Sequence, residues 1–349
     1  MANKLSHWYS AHYRSLPWRN EPTPYHVWVS EIMLQQTRIE AVLPYYRRFI
    51  DTLPTVADLA SASNELLLKL WEGLGYYSRV RNMQRAAQIV MHEYDGSLPA
   101  DYDALLALPG IGPYTAGAIA SIAFDIPVPA VDGNVMRVLA RLTADNTDVL
   151  SSEGKKRFTA LAWDLTPEQG AGRFNQALME LGETVCIPNG EPHCADCPLK
   201  SECEAYRLGL TLSLPVRIKK TSRRVEKRQV ALVMASGKPP MVLLHKRSDN
   251  GLLANLWEFP NTLSEEPLDS LPIQLRNSCV KIRDLPTCKH LFTHIEWQMT
   301  GALYTLGKGV MLPDDFLLAD LTSVMHEFAL PSAFRVYTSM LPQLLSEEC

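Results

Sequence analysis

The chain has 349 residues, 46% of them hydrophobic and 21% charged. That length suits two domains, possibly three, and the ordinary composition excludes a disordered, collagen-like or coiled-coil protein. The net charge of -4 is unevenly spread: residues 1–228 carry 25 basic and 25 acidic residues, the remainder 9 and 13. A neutral N-terminal part lacks the field that would attract a polyanion, so any nucleic-acid binding must come from local charge placement.

At the N-terminus, Trp8, Tyr9, His12 and Arg14 interrupt the unbroken apolar core that a signal peptide needs, which predicts a cytosolic protein. From residue 25 to 205 the pattern reads as helix after helix. Apolar residues recur at three and four spacing in Asn64-Glu-Leu-Leu-Leu-Lys-Leu-Trp71 and Arg81-Asn-Met-Gln-Arg-Ala-Ala-Gln-Ile-Val90, punctuated by Gly73, Gly75, Gly96 and Pro99. The nearly uncharged stretch 105–124 has the length of a membrane span, but Pro109, Gly110, Gly112 and Pro113 break it. No transmembrane helix is expected.

Three segments carry chemistry. Ser30-Glu-Ile-Met-Leu-Gln-Gln-Thr37 places Glu31 in a helix otherwise built from Val27, Trp28, Ile32 and Leu34. On an exposed face this glutamate is ordinary; turned inward, its pKa rises and it becomes a proton donor at neutral pH. Leu108-Pro-Gly-Ile-Gly-Pro-Tyr-Thr-Ala116 reads as a tight hairpin between two helices. Its glycines either serve shape alone or leave backbone amides open to a phosphate oxygen at a helix N-terminus. In Val131-Asp-Gly-Asn-Val-Met-Arg-Val-Leu139, Asp132 precedes a helical pattern. As an N-cap it accepts backbone N–H bonds and stays ionised, and the same geometry would stabilise a cationic sugar, with Asn134 orienting it or a water.

Seven cysteines in a cytosolic chain point to metal or reactive thiols rather than disulfides. Cys186, Cys194, Cys197 and Cys203 fall within 18 residues, whereas Cys279, Cys288 and Cys349 are scattered and read as small core or surface residues. Four ligands in one short loop suit zinc or a [4Fe-4S] cluster, and spacing alone favours iron–sulfur by a narrow margin. From Thr211 the chain turns basic, with Arg217, Lys219, Lys220, Arg223, Arg224, Lys227 and Arg228 against Glu226, the pattern of a linker. Beyond it, 229–234, 241–245 and 297–304 read as strands and 333–345 as a helix, an α+β domain.

Leu16-Pro-Trp-Arg19, Ser30 to Thr37, Gly73-Leu-Gly-Tyr-Tyr77, Leu108 to Gly112, Val131-Asp-Gly-Asn134, Phe174-Asn-Gln-Ala-Leu-Met179 and the four cysteines occur in the order seen in A/G-specific adenine DNA glycosylases. The chain therefore resembles the MutY family over nearly its whole length. The resemblance implies an all-α helix-hairpin-helix glycosylase domain with an iron–sulfur loop (residues 1–210, cluster at 186–203), a basic linker (211–228) and a C-terminal α+β nudix-like domain (229–349). It implies a cytoplasmic, nucleoid-associated bacterial enzyme. It would act as a monomer, without a membrane, on double-stranded DNA holding adenine opposite 8-oxoguanine or guanine.

Carried over by position, the resemblance makes Glu31 the acid that protonates adenine and Asp132 the carboxylate that stabilises the oxocarbenium, supported by Tyr114 and Asn134. Trp18, Arg19 and Gln176 would line the adenine pocket, and Leu34, Gln36, Thr37 and Tyr76 would meet the duplex. Gly110, Ile111 and Gly112 would hold the DNA backbone, and Phe292, Thr293 and His294 would read 8-oxoguanine. Cys186, Cys194, Cys197 and Cys203 would bind a [4Fe-4S] cluster.

Two departures stand out: the gap between Cys186 and Cys194 is seven residues where the family has six, and Thr293 replaces the usual serine of the lesion-reading triplet. The stretch 237–266 lacks the carboxylate cluster that nudix hydrolysis needs for magnesium, so this domain is expected to bind and not hydrolyse. A bifunctional, endonuclease III-like lyase would need a lysine where Tyr114 stands, and phenol forms no Schiff base. A non-catalytic DNA-binding or redox iron–sulfur protein would have no use for Glu31 and Asp132 together.

Overall fold

A computed structural model describes residues 1–218 and 223–347; Lys219 and Lys220 of the basic run, and Cys349, lie outside the described residues. The chain forms two compact units. One comprises residues 1–62 and 82–218, the other 63–81 and 223–347.

The first unit is helical, with principal helices Ala2–His12, Pro24–Leu34, Ile39–Thr52, Pro113–Phe124, Gly133–Leu142, Ser152–Leu165 and Ala171–Thr184. Local chemistry sets their starts. Thr23 accepts the His26 N–H and Pro24 occupies the first turn, and Ser151 accepts the Gly154 N–H, each satisfying an orphan donor. Pro113–Phe124 lies centrally, packed by both Pro24–Leu34 and Ala171–Thr184. Small residues permit this: a Cβ on Gly117 would stand 2.1 Å from the Pro129 carbonyl oxygen, and one on Gly172 2.3 Å from that of Ser121. The near absence of charge in 105–124 thus reflects a core helix. No helix among the described residues is long and apolar enough to cross a membrane.

The second unit is built on a seven-stranded sheet. Its strands are β1 (Arg224–Ala235), β2 (Met241–Lys246), β3 (Trp257–Glu258), β4 (Asn261–Thr262), β5 (Cys279–Leu291), β6 (Ile295–Leu306) and β7 (Phe316–Ala319), in the order β3-β2-β1-β6-β5, with β4 on β1 and β7 on β2. β1 and β6 run parallel over twelve residue pairs, and the other pairings are antiparallel. Val230, Leu232 and Met234 bury on one face of β1, Ala231, Val233 and Ala235 on the other. Burial on both faces explains why this strand reads as an unbroken apolar run.

Two expectations about this region need correction. Arg224–Arg228 is not linker but the first part of β1, paired with Ile295–Met299; its basic side chains hide an alternation in which Glu226 turns inward and accepts the Trp297 indole N–H at 3.0 Å. The helix expected over 333–345 is split into Ser332–Phe334, Arg335–Thr338 and Leu341–Glu347. Pro342, which has no amide to donate, is best placed in a first turn, and the last helix starts there.

Because Gly117 meets backbone of Pro129 and Ala130, and not the end of a flexible side chain, relief requires the helix and the segment 125–132 to move apart. Gly117→Ala is expected to destabilise the protein by about 1–3 kcal/mol, the usual range for overpacking; a urea midpoint equal to wild type would refute this close contact.

Candidate active site

In the helical unit, a cavity of about 820 Å³ gathers ten of the residues singled out above: Trp18, Arg19, Glu31, Leu34, Gln36, Thr37, Tyr114, Asp132, Asn134 and Gln176. Its volume is that of a small-molecule site. Glu31 comes from Pro24–Leu34, Tyr114 from the first turn of Pro113–Phe124, and Asp132 caps Gly133–Leu142. Glu31 is 6% exposed, and the Tyr114 hydroxyl donates a hydrogen bond to its Oε2.

The two carboxyl groups are held differently. Asp132 Oδ1 accepts the Val135 N–H at 2.7 Å, and its Oδ2 accepts the Asn134 amide at 2.8 Å. Burial still pushes Asp132 above its ordinary range, although these donors pull it back; the N-cap favours the anion without making it a low-pKa acid. Burial pushes the Glu31 carboxyl up to about 7, with the Tyr114 hydroxyl opposing and the Asp132 charge adding to the rise. Tyr114 itself is raised well above its usual range by burial and by both carboxylates, so it stays a neutral donor. The cavity therefore holds a carboxyl protonated near neutrality together with one better supplied with hydrogen-bond donors.

Residues that hold the cavity wall from behind were not legible in the motifs. Glu180 is 1% exposed and binds Arg14 at 2.7 Å and Arg19 at 2.7 Å, so the Arg19 guanidinium is pinned rather than free. Tyr9 donates to Gln176 Oε1 at 2.5 Å, which leaves the Gln176 NH₂ group for the cavity. Glu180 lies one helical turn beyond Gln176, a spacing that places both on one face and was the available signal. Arg137 donates to Asn134 Oδ1 at 2.8 Å, to the Gly182 carbonyl at 2.6 Å and to the Cys186 carbonyl at 2.7 Å. It ties the support of Asp132 to the start of the cysteine loop.

The hairpin lies beside the cavity in the chain. Ile111 is buried while Gly110 and Gly112 are exposed, and Gly110 adopts φ +79° against Asn82, whose Cβ would be 2.6 Å from an added Cβ. Gly112 caps the helix that delivers Tyr114. The remaining candidates, Tyr76, Phe292, Thr293 and His294, belong to the other unit. There the Tyr76 hydroxyl meets that of Thr293 in a hydrogen bond.

Comparison with known proteins finds two families in the chain, the first of which also takes in residues 63–81. Residues 29–168 match the model of the HhH-GPD superfamily of base excision DNA repair proteins, and residues 229–339 match the NUDIX domain. The chain is 38% identical to the adenine DNA glycosylase of Mus musculus, over 87% of this chain and 70% of that protein. It is 33% identical to that of Homo sapiens, over 97% and 74%, and 34% identical to that of Buchnera aphidicola subsp. Baizongia pistaciae, over 81% and 79%. The chain belongs to the adenine DNA glycosylase family. Among solved structures, a thermostable thymine-DNA glycosylase superposes with a TM-score of 0.54 at 26% identity, over 59% of this chain and 95% of the other. A trapped endonuclease III–DNA covalent intermediate, at 0.50 and 23% over 60% and 95%, shares the fold. The protein is accordingly a DNA glycosylase, a helix-hairpin-helix domain followed by a nudix-like one.

The four cysteines form no disulfide among the described residues, and all are half-buried. Arg141 donates to Cys186 Sγ at 3.3 Å and to the Ile187 carbonyl at 2.9 Å, while Cys203 Sγ lies 3.4 Å from the Arg141 carbonyl. The tip of the long first gap, Asn189-Gly190-Glu191, is exposed, and Pro188 on its flank reaches the cavity wall. Among the described residues no three His, Cys, Asp or Glu side chains form a group that could hold a single ion. Cys186 and Cys203 lie against the buried Arg141, a cationic setting that suits an anionic group held by these thiols.

Folding raises the Glu31 pKa from an ordinary 4.5 to about 7. The folded state holds this proton more tightly, so stability tied to Glu31 is full below about pH 4.5 and is lost as the pH rises to about 7. Glu31→Gln cannot ionise. It is expected to be more stable than wild type at pH 8 by on the order of 3 kcal/mol, the gap closing towards pH 4.5. Parallel urea titrations at both pH values check this; a gap independent of pH would mean that Glu31 is not buried.

Proposed function

We propose that the protein is a monofunctional adenine DNA glycosylase that removes adenine mispaired with 8-oxoguanine or guanine in duplex DNA. On this reading it works as a monomer on the chromosome of a bacterial cell. The observation that carries the proposal is the buried Glu31 carboxyl, its pKa about 7, in one cavity with Asp132. Adenine leaves a sugar poorly until a ring nitrogen is protonated. Glu31 in its acid form gives that proton, the N-glycosidic electron pair leaves with the base, and the oxocarbenium that remains is stabilised by the Asp132 carboxylate. Water adding at the anomeric carbon returns a proton and completes hydrolysis. Tyr114 holds the Glu31 carboxyl in place, and Asn134 holds Asp132.

Trp18, Arg19 and Gln176 are assigned to the flipped base, and Leu34, Gln36, Thr37 and Tyr76 to the duplex around it. The hairpin backbone of Gly110, Ile111 and Gly112, exposed at its two glycines, is assigned to phosphate. Phe292, Thr293 and His294 are assigned to the opposite base: adenine is a normal base, so recognising it cannot distinguish a mispair from a correct pair. Tyr114 argues against the lyase alternative, because a phenol cannot form the imine on which strand cleavage depends.

Glu31→Gln is expected to slow single-turnover adenine release by about 100- to 10,000-fold, and the wild-type rate should fall as the pH rises through about 7, as the acid form is lost. The same reactions quenched with borohydride should give no efficient covalent protein–DNA capture. Half the wild-type rate in Glu31→Gln, or strong trapping by wild type, would overturn the mechanism.

Cys186, Cys194, Cys197 and Cys203 are assigned as ligands of a [4Fe-4S] cluster, which when bound would order their loop. Purified protein should be brown, with about four iron and four sulfide per chain. Active, colourless protein carrying zinc would refute the assignment.

A further inference from the structure

Residues 63–81 are remote in sequence from the nudix-like domain but share its compact unit. Two charged side chains of this segment are spent on backbone groups of the turn at 324–330. Lys69 Nζ donates to the Phe328 carbonyl at 2.9 Å and to the Val324 carbonyl at 3.4 Å, at and just beyond the end of the helix Leu321–His326, where carbonyls lack helical partners. Glu72 accepts the Leu330 N–H at 2.8 Å and pairs with Lys69 at 2.8 Å. Both side chains are largely covered, at 19% and 29% exposure. An ion pair that served only itself would contribute little. Here each member also satisfies backbone groups more than 250 residues away in the chain.

The loop that follows is locked and carries Tyr76. The Trp71 indole donates to the Gly75 carbonyl at 3.0 Å, and Arg79 donates to the Leu74 and Gly75 carbonyls at 3.1 Å each. The Arg79 guanidinium sits 5.3 Å from the Trp71 ring centroid and 5.6 Å from that of Tyr76. On the other side, Phe292 packs edge-on to Trp297 at 4.8 Å, and its N–H donates to the Ile295 carbonyl at 2.8 Å. The two locked loops meet where the Tyr76 and Thr293 hydroxyls touch.

We propose that Lys69 and Glu72 are positioning residues for recognition of the base opposite the adenine. They fasten the Tyr76 loop to the turn at 324–330, so that Tyr76 and Thr293 present one rigid surface to that base. The inference rests on the function proposed above, which places these two residues on DNA. Discrimination between 8-oxoguanine and guanine turns on a few atoms of the base edge, so it demands closer placement than binding does.

The test measures single-turnover adenine release opposite 8-oxoguanine and opposite guanine for full-length wild type, Lys69→Arg, the double variant Lys69→Met with Glu72→Gln, and the charge swap Lys69→Glu with Glu72→Lys. Opposite guanine, the double variant should stay within about twofold of wild type, which shows it folded and active, while its preference for 8-oxoguanine falls roughly fivefold or more. Lys69→Arg should retain the preference. The swap should fail like the double variant, because a carboxylate at 69 cannot donate to carbonyls and an ammonium at 72 cannot accept an amide. A swap that restores the preference, an unchanged preference in the double variant, or an equal loss of rate opposite both bases would each overturn the inference. If wild type releases adenine opposite neither base, the underlying function falls and the inference with it.

Discussion

Two carboxyl groups withdrawn from water into one cavity set the terms for the rest of the helical unit. Removing a carboxylate from solvent is strongly unfavourable unless donors replace the water, and this fold replaces it unequally. Asp132 receives a backbone amide and a side-chain amide because it stands at a helix start, with Asn134 two residues on. Glu31 stands in the middle of a helix, where every backbone amide is already used, and receives the hydroxyl of Tyr114. The asymmetry follows from where each residue sits in its helix, and each carboxyl reinforces the other's state. The negative charge of Asp132 helps keep the proton on Glu31. The packing that holds this arrangement is correspondingly tight: a Cβ on Gly182 would lie 2.7 Å from Asn134 Cβ, and Arg137 spans the Gly182 carbonyl and Asn134 Oδ1.

Much of this was readable from residue order, and the limits have physical causes. Asp132 as an N-cap and Pro113 opening a helix are local, decided within four residues, and both stand as read. The inward turn of Glu31 depended on what surrounds its helix. Pro24–Leu34 is apolar on nearly all sides and buried along most of its length, so periodicity had no exposed face to assign. Glu180 escaped notice because a buried glutamate is identified by its partners, and Arg14 and Arg19 lie more than 160 residues away. The parallel pairing of β1 with β6 is invisible for the same reason. The basic run concealed a strand because its one buried acid, Glu226, lies between Arg224 and Arg228, which share its face and pair with it, so charge masks the alternation.

Among the described residues seven non-glycine positions adopt positive φ, and two of them fall at the cavity and in the Tyr76 loop. Gln36 and Tyr76 adopt φ of +59° and +49°, a conformation costing a non-glycine residue about 1–3 kcal/mol that persists only where the surroundings impose it. Gln36 follows Gln35, the C-cap of the helix that carries Glu31, at a position glycine normally takes. Glycine there would relieve the strain but remove the side chain that lines the cavity. Tyr76 directly follows Gly75, itself at φ +70°, and is 46% exposed, so packing of its ring cannot be what the strain secures. At both positions the costly conformation aims a long side chain outward from a locked turn. That is what contact with an external partner demands and what core stability alone would select against. The proposed catalytic cavity and the proposed opposite-base surface, built from different units of the chain, therefore share one device: rigid backbone geometry maintained at a cost to stability so that a side chain is already placed when the ligand arrives.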